Sequence, residues 1–216
     1  GLLTPGLDMF RDPVARARAD VVGVRLAAHD PEPAVASQDL GVLLEVLSKT
    51  VASASFVSIG VIRWSADEVT GAWFLGALAF CAAGDVLLLG KRSFDVGLLA
   101  FLLGHAFYIV GFNAALPIEM WSLPILAPVG LASVGAAAWL WPHLGRRRIP
   151  VLTYVVAITI MVWGGFSTAI RSSLPLTAAA GASLFYLSDL SVARQRFVHE
   201  SFVNRAIGLP TYYLGQ

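Results

Sequence analysis

The sequence has 216 residues, of which 57% are hydrophobic and only 13% are charged, whereas soluble domains carry about 25% charged residues. This composition predicts an integral membrane protein, and a net charge of +1 excludes a general surface for nucleic acid or other polyanions. The single cysteine, Cys81, excludes a disulfide framework or a thiolate metal site within one chain.

Residues 1–39 form a polar segment that precedes the apolar part of the chain. Its four arginines, its acidic residues and the helix-breaking sequence "HDPEP" at residues 29–33 exclude a spanning helix. Three of the arginines recur every seven residues, at Arg11, Arg18 and Arg25. Three alternatives remain open from this pattern: an interfacial helix with a basic stripe, a solvated helix, or a disordered tail.

From residue 40 onward, apolar runs of about 20 residues, the length that crosses the hydrocarbon of a bilayer, alternate with short polar breaks. The runs cover residues 40–62, 68–89, 94–113, 117–141, 149–170, 174–193 and a shorter 201–216. The predicted fold is therefore all-α, a polytopic bundle of about seven transmembrane helices over residues 40–216.

The basic residues predict the orientation of this bundle. If the chain alternates sides, the N-terminal segment shares a side with three of the polar breaks, and that side collects eleven of the fifteen basic residues: Arg11, Arg16, Arg18, Arg25, Lys91, Arg92, Arg146, Arg147, Arg148, Arg194 and Arg196. Arg63 and Arg171 lie opposite. The positive-inside rule places the richer side, and with it the N-terminus, in the cytoplasm of a multi-pass cell-membrane protein.

Two aspartates lie inside predicted spans. Asp85 and Asp189 each lie about four residues before the cytoplasmic end of their span, so at 1.5 Å per residue they share one level in the bilayer. An ionised carboxylate in hydrocarbon costs several kcal/mol, and an aspartate there has to be paired, protonated or used in chemistry. Because the spans offer few cations, we interpret the pair as functional.

Further polar residues are predicted to lie near the two aspartates. Glu45 and Lys49 are spaced i, i+4 on the first span, in the same half of the membrane, and form either a structural ion pair or part of a site. His105 and Tyr108 share a face of the third span, where His105 is either an interhelical hydrogen-bonding residue or part of the chemistry. Glycines at residues 97, 104 and 111 predict a close-packing face beside them.

Buried acids of this kind fit either a proton-coupled carrier or an enzyme that uses a carboxylate pair. The four histidines are scattered and there is no GxSxG motif, which disfavours a zinc hydrolase and a serine hydrolase. Intramembrane aspartyl proteolysis also uses two aspartates, but "AAGD" lacks the first glycine of a GxGD motif. We predict no metal and no organic cofactor.

Four segments resemble, in order and spacing, the motifs of the YhhN-like lysoplasmalogenase family: "GALAFCAAGDVLLL" at 76–89, "GLLAFLLGHAFYIVGF" at 97–112, "GASLFYLSDLSVARQRF" at 181–197 and "LPTYYLGQ" at 209–216. Lys49 in "LSKT" resembles a lysine of that family. The resemblance implies an eight-helix membrane hydrolase that cleaves the vinyl ether bond of lysoplasmalogens, with residues 40–216 as its catalytic domain and Asp85 and Asp189 as its catalytic pair.

With that substrate, the depth of the other polar residues suggests roles for them. Lys49, Arg194 or Arg196 would bind the substrate phosphate near the cytoplasmic interface, and His105 and Tyr108 would position the glycerol or the water. Glu45 would belong to the same substrate-binding region. Two neighbouring carboxylates suit the reaction because one ionises while the other keeps a proton, although the sequence assigns these two roles only jointly.

Overall fold

The computed structural model describes residues 33–64, 68–90, 93–172 and 174–216. Regular structure within these ranges is entirely helical, which confirms the predicted all-α class. Seven α-helices follow one another: α1 at Pro33–Trp64, α2 at Glu68–Leu87, α3 at Phe94–Ala115, α4 at Leu123–Leu140, α5 at Arg148–Arg171, α6 at Leu176–Ala193 and α7 at Phe202–Gly215.

Five segments are long and apolar enough to cross a membrane: Val69–Leu87, Phe94–Ala115, Leu123–His143, Gly145–Arg171 and Leu176–Val198. The apolar stretch of α1 is shorter, at Val46–Ile62, and α7 has 14 residues. The protein is thus a multi-pass membrane protein. A total of seven or eight spans and a cytoplasmic N-terminus stay predictions.

The chain divides into two compact units, Gly1–Glu45 and Val46–Gln216. Of the first unit, the structure describes the start of α1, where the side chains of Leu40, Leu43 and Leu44 are exposed. Residues 1–32 lie outside the described residues, so the three alternatives for the polar segment remain open. The second unit holds all the candidate site residues except Glu45.

Local sequence signals set the helix ends that position the site. The α2 helix stops two residues after Asp85, where a turn closes with a hydrogen bond from Gly90 N–H to the Leu87 carbonyl. The α6 helix continues beyond Asp189 into a π-helical turn at Arg194–Val198. The Ser201 hydroxyl then caps α7 by accepting a hydrogen bond from the Val203 N–H. Both aspartates therefore lie near the carboxyl ends of their helices.

The helices of the second unit pack mainly as successive neighbours. The α2 helix lies along α3, α3 packs on α5, α5 packs on α6, and α6 packs on α7, while α4 lies against α5. Their shared core is rich in aromatic and sulfur-containing side chains, including Cys81, Phe101, Phe112, Met161, Phe185 and Tyr212. The aspartates lie at the edges of this core.

The predicted glycine face of α3 is confirmed as a close-packing surface. A Cβ atom on Gly104 would lie 2.8 Å from the Cys81 Sγ and 3.3 Å from the Ala77 carbonyl oxygen, both on α2. A Cβ on Gly111 would lie 2.7 Å from the Phe74 ring, also on α2. Small residues let helices approach closely where lipid supplies no hydrophobic driving force. The glycines thus allow α2 to lie closely along α3.

Gly104→Ala is expected to lower the thermal unfolding midpoint, because the added methyl group forces α2 and α3 apart at a cost of about 1–3 kcal/mol. The matched control is Gly130→Ala on α4, where a Cβ meets no atom within 4 Å. Tryptophan fluorescence of the purified protein during heating measures both midpoints. Equal midpoints for the two variants would contradict the close contact.

Candidate active site

Asp85 is buried in the last turn of α2, with 7% of its surface exposed. Its Oδ2 atom accepts two hydrogen bonds, from the Ser53 hydroxyl on α1 at 2.6 Å and from the Tyr212 hydroxyl on α7 at 2.9 Å. Hydrogen bonds to an ionised carboxylate are among the stronger ones in proteins. Three helices thus meet at this carboxylate, and two hydroxyl donors replace the water that it loses on burial.

Lys49 lies one helical turn before Ser53 on α1 and is partly buried. Its ammonium group is close enough to Asp85 for the two charges to interact. The structure therefore brings together Lys49 and one predicted catalytic aspartate. The Glu45 side chain lies outside the described residues, so its predicted pairing with Lys49 stays a prediction.

Asp189 lies on α6 and is more accessible than Asp85, with 16% of its side chain exposed. Its Oδ2 atom accepts a hydrogen bond from the Tyr154 hydroxyl of α5 at 2.8 Å. The same oxygen lies 3.3 Å from Nε2 of His105 on α3. Asp189 thus joins three helices, as Asp85 does, but one of its neighbours is a titratable imidazole.

His105 is fully buried, with 0% of its surface exposed. Its Nδ1 atom lies 2.7 Å from the carbonyl oxygen of Phe101, one turn earlier on α3. Although Nε2 is within ion-pair distance of Asp189, the approach lacks hydrogen-bond geometry, and Nε2 has no hydrogen-bond partner among the described residues. A buried ring nitrogen without a hydrogen bond is unusual, and such groups often have a chemical role.

Aromatic rings connect the two aspartates through the core. The imidazole ring of His105 packs on Phe185, with 4.6 Å between ring centres, and Phe185 packs on Tyr212, with 5.5 Å between centres. Tyr212 in turn donates to Asp85. The structure thus places Asp85 and Asp189 around one cluster of side chains.

Tyr108 lies one turn after His105 on α3, and its hydroxyl donates a hydrogen bond to the Gln216 side-chain oxygen. Both residues line a cavity of about 470 Å³ whose other walls are mainly apolar side chains of α2, α3, α5, α6 and α7, including Leu78, Phe112, Met161, Ala182 and Leu184. Phe185 also lines this cavity and separates it from His105. An apolar cavity of this size accommodates part of a lipid chain.

Arg194 and Arg196 lie in the π-helical turn after α6, and both are exposed. Arg194 donates a hydrogen bond to the Asn204 side-chain oxygen at 2.7 Å. The guanidinium carbon of Arg196 lies 4.2 Å from the centre of the Phe94 ring, a cation–π contact. In the part of the chain that the structure describes, neither arginine forms an ion pair with Asp189.

Three hydroxyl groups that contact the aspartates, those of Ser53, Tyr154 and Tyr212, were not singled out from the sequence. Tyr212 lies in the "LPTYYLGQ" segment, and Ser53 lies one turn after Lys49, so both had a neighbouring signal. Tyr154 had none beyond being a hydroxyl-bearing residue in an apolar run.

Among the described residues, no three histidine, cysteine or acidic side chains cluster as metal ligands. The functional groups gathered here are carboxyl, imidazole, hydroxyl and ammonium groups, which are suited to proton transfer.

Comparison with known proteins identifies relatives of the whole apolar part of the chain. The model of the YhhN family matches residues 44–216. No solved structure matches the chain.

Several relatives carry one name. A Mycobacterium bovis protein named "Lysoplasmalogenase" is 36% identical over 153 residues, which cover 65% of this chain and 55% of that protein. "Lysoplasmalogenase TMEM86B" of Mus musculus is 31% identical over 72% of this chain and 66% of its own length. "Lysoplasmalogenase TMEM86A" of Homo sapiens is 32% identical over 66% of this chain and 61% of its own length. The chain thus spans about half to two thirds of the length of these relatives.

We expect Cys81 to resist N-ethylmaleimide in the folded protein, because Cys81 has no exposed surface and its sulfur lies against Gly104 in the α2–α3 interface. The reagent should label it after denaturation in sodium dodecyl sulfate. The control is His199→Cys in a Cys81→Ser background, because residue 199 is exposed. Mass spectrometry measures the labelled fraction over time, and labelling of Cys81 as fast as the control would contradict a closed cluster.

Proposed function

Because the chain belongs to the YhhN family, we propose that it hydrolyses the vinyl ether bond of lysoplasmalogens. The products would be a fatty aldehyde and glycerophosphoethanolamine or glycerophosphocholine. Relatives at 31% to 36% identity that carry the name lysoplasmalogenase support this substrate. The observation that carries the proposal is the series of contacts that links the two aspartates: His105 lies beside Asp189 and packs on Phe185, which packs on Tyr212, which donates to Asp85.

A vinyl ether breaks when its β-carbon takes up a proton. The resulting oxocarbenium ion accepts water at the neighbouring carbon, and the hemiacetal collapses to an aldehyde and an alcohol. This sequence needs one acid that is protonated and one base that is ionised, both within reach of the same two carbons. Glycosidases use two carboxyl groups in the same way around a similar cation. The Asp85–Asp189 pair supplies both groups.

The surroundings of the pair favour such a division of labour. Asp85 accepts two hydroxyl hydrogen bonds, from Ser53 and Tyr212. Asp189 is more exposed and lies beside an imidazole. Because two carboxyl groups in different environments tend to adopt different protonation states, the arrangement supports one acid and one base at neutral pH.

The proposed substrate has a phosphate head group and one hydrocarbon chain. We place the head group at the cytoplasmic interface, where Lys49, Arg194 and Arg196 would bind its phosphate. The chain would extend towards the apolar cavity beside Phe185, and Tyr108 lies at its polar wall. This orientation leaves the vinyl ether, which adjoins the head group, at the level of the aspartates. The active site would then face the cytoplasm.

Asp85→Asn and Asp189→Asn are each expected to lower aldehyde release by about 10²–10⁴-fold, the usual contribution of a general acid or base. The assay is aldehyde formation from lysoplasmalogen by the purified full-length protein in detergent. Asp95→Asn is the matched control, because Asp95 is 68% exposed and pairs at the surface with Arg147 at 3.0 Å. This control should keep wild-type turnover.

Full turnover in both Asp85→Asn and Asp189→Asn would contradict the aspartate mechanism. Absence of aldehyde from the wild-type protein, together with substrate-dependent proton flux in liposomes, would instead identify the alternative function, a proton-coupled carrier that uses the same buried acids.

A further inference from the structure

The hydrogen bond of His105 to its own helix fixes the position of one proton. The Phe101 carbonyl oxygen only accepts hydrogen bonds, so the Nδ1 atom that lies 2.7 Å from it must carry a hydrogen. In a neutral imidazole the other nitrogen, Nε2, then has a lone pair and no hydrogen. The geometry of α3 thus decides which tautomer of neutral His105 is present.

The Nε2 atom lies 3.3 Å from the Asp189 Oδ2 atom. A nitrogen lone pair and an ionised carboxylate oxygen repel each other at that distance in a buried site. The contact is favourable when one proton lies on the pair, either on the carboxyl group or on Nε2. A neutral His105 of this tautomer has no hydrogen on Nε2, so a proton on the Asp189 carboxyl group is what removes the repulsion.

Neighbouring rings prevent His105 from turning away from Asp189. Tyr154 packs edge-on against the imidazole, with 4.9 Å between ring centres, and Phe185 packs on it at 4.6 Å. Tyr154 also donates its hydroxyl hydrogen to the same Asp189 oxygen. The rings of Tyr154 and Phe185 thus fix the position of the imidazole, and the Tyr154 hydroxyl group fixes the position of the Asp189 carboxyl group.

Asp85 has a different set of partners. Its Oδ2 atom accepts hydrogen bonds from two hydroxyl groups, those of Ser53 and Tyr212. Neither partner presents a lone pair that requires a proton on the carboxyl group. Hydrogen bonds from hydroxyl donors stabilise the ionised form of a carboxylate.

We propose that Asp189 is the proton donor of the reaction and Asp85 the base, and that His105 is a positioning residue that keeps the donated proton on Asp189. This inference rests on the proposed function and adds to it the assignment of the two roles, which the sequence left joint.

The proposed steps conserve protons and charge. The Asp189 carboxyl group gives its proton to the β-carbon, and the π electrons of the double bond form the new C–H bond. Water adds to the neighbouring carbon and gives a proton to the Asp85 carboxylate. In the collapse, Asp85 returns that proton to the departing glycerol oxygen as the C–O bond breaks, and Asp189 takes the hemiacetal proton. Both aspartates thereby regain their starting forms.

Several titratable groups lie on the surrounding helices. The nearest hydroxyl group is that of Tyr154 on α5, which donates to Asp189. On the remaining packed elements, Tyr108 donates to Gln216, Tyr212 donates to Asp85, Tyr186 contacts the Ser133 hydroxyl, Arg194 donates to Asn204, and Asp95 pairs with Arg147. The Tyr213 hydroxyl of α7 is buried and has no hydrogen-bond partner among the described residues.

His105→Gln tests the role of the imidazole. The glutamine amide can donate a hydrogen bond to Asp189 but cannot hold a titratable proton. We expect kcat for aldehyde release to fall by about 10²-fold or more while KM changes little. The residual kcat should rise in proportion to hydronium concentration as the pH falls. The exposed His143→Gln is the control and should keep the wild-type kcat and pH profile.

A purely structural role for His105 would lower the melting temperature but leave the pH profile of the remaining activity unchanged. An unaltered pH profile in His105→Gln would therefore overturn the inference. Wild-type protein that releases no aldehyde would contradict the proposed function itself, so the two failures are distinguishable.

Chemical rescue tests the two aspartate roles without altering His105. At pH 7 formate is an anion and can replace a missing base but not a missing acid. We expect added formate to raise aldehyde release by Asp85→Ala in a concentration-dependent manner and to leave Asp189→Ala unchanged. Rescue of Asp189→Ala in place of Asp85→Ala would reverse the roles and overturn the proposal.

Discussion

A carboxyl group buried among membrane helices must replace its lost hydration with hydrogen bonds. In this protein two aspartates do so, and their contacts link neighbouring helices. Asp85 on α2 takes its hydroxyl donors from α1 and α7, and Asp189 on α6 takes its neighbours from α3 and α5. Six of the seven helices in the described part of the chain therefore contribute to the surroundings of one aspartate or the other. Packing and function depend on the same contacts.

The close approach of α2 and α3 places the contacts of Asp85 next to the contacts of Asp189. Gly104 leaves room for the Cys81 thiol, so the helix that carries Asp85 lies directly against the helix that carries His105. Phe185 packs against both the His105 imidazole and the Tyr212 ring. A larger residue at position 104 would disturb packing and site geometry together, because both use the same interface.

The helical spans and the two aspartates could be predicted from the sequence. The partners of the aspartates could not, for a physical reason. Helical spans follow from apolar runs, and Asp85 and Asp189 are conspicuous because charge in such runs is rare. The hydroxyl partners Ser53, Tyr154 and Tyr212 are not conspicuous, because an apolar helix tolerates serine and tyrosine on any face. Only the rotation of each helix in the bundle decides which of them point at a carboxylate.

The basic residues show a second limit of sequence reasoning. Arg194 and Arg196 follow Asp189 by only five and seven residues, which suggests proximity to it, yet a π-helical turn directs them to Asn204 and to the Phe94 ring. Lys49, far from Asp85 in sequence, is near it in space. Local chain geometry thus overrides sequence spacing at the end of α6.

The proposed mechanism requires one substrate to lie between Asp85 and Asp189. An experimental structure with a bound lysophospholipid that carries a saturated ether, which lacks the double bond and cannot be cleaved, would locate the substrate. We expect the ether linkage to lie between the two carboxyl groups, each within about 3 Å of the reacting carbons or one water away. An ether linkage elsewhere in the bundle, or carboxyl groups more than about 10 Å apart with side chains between them, would contradict it.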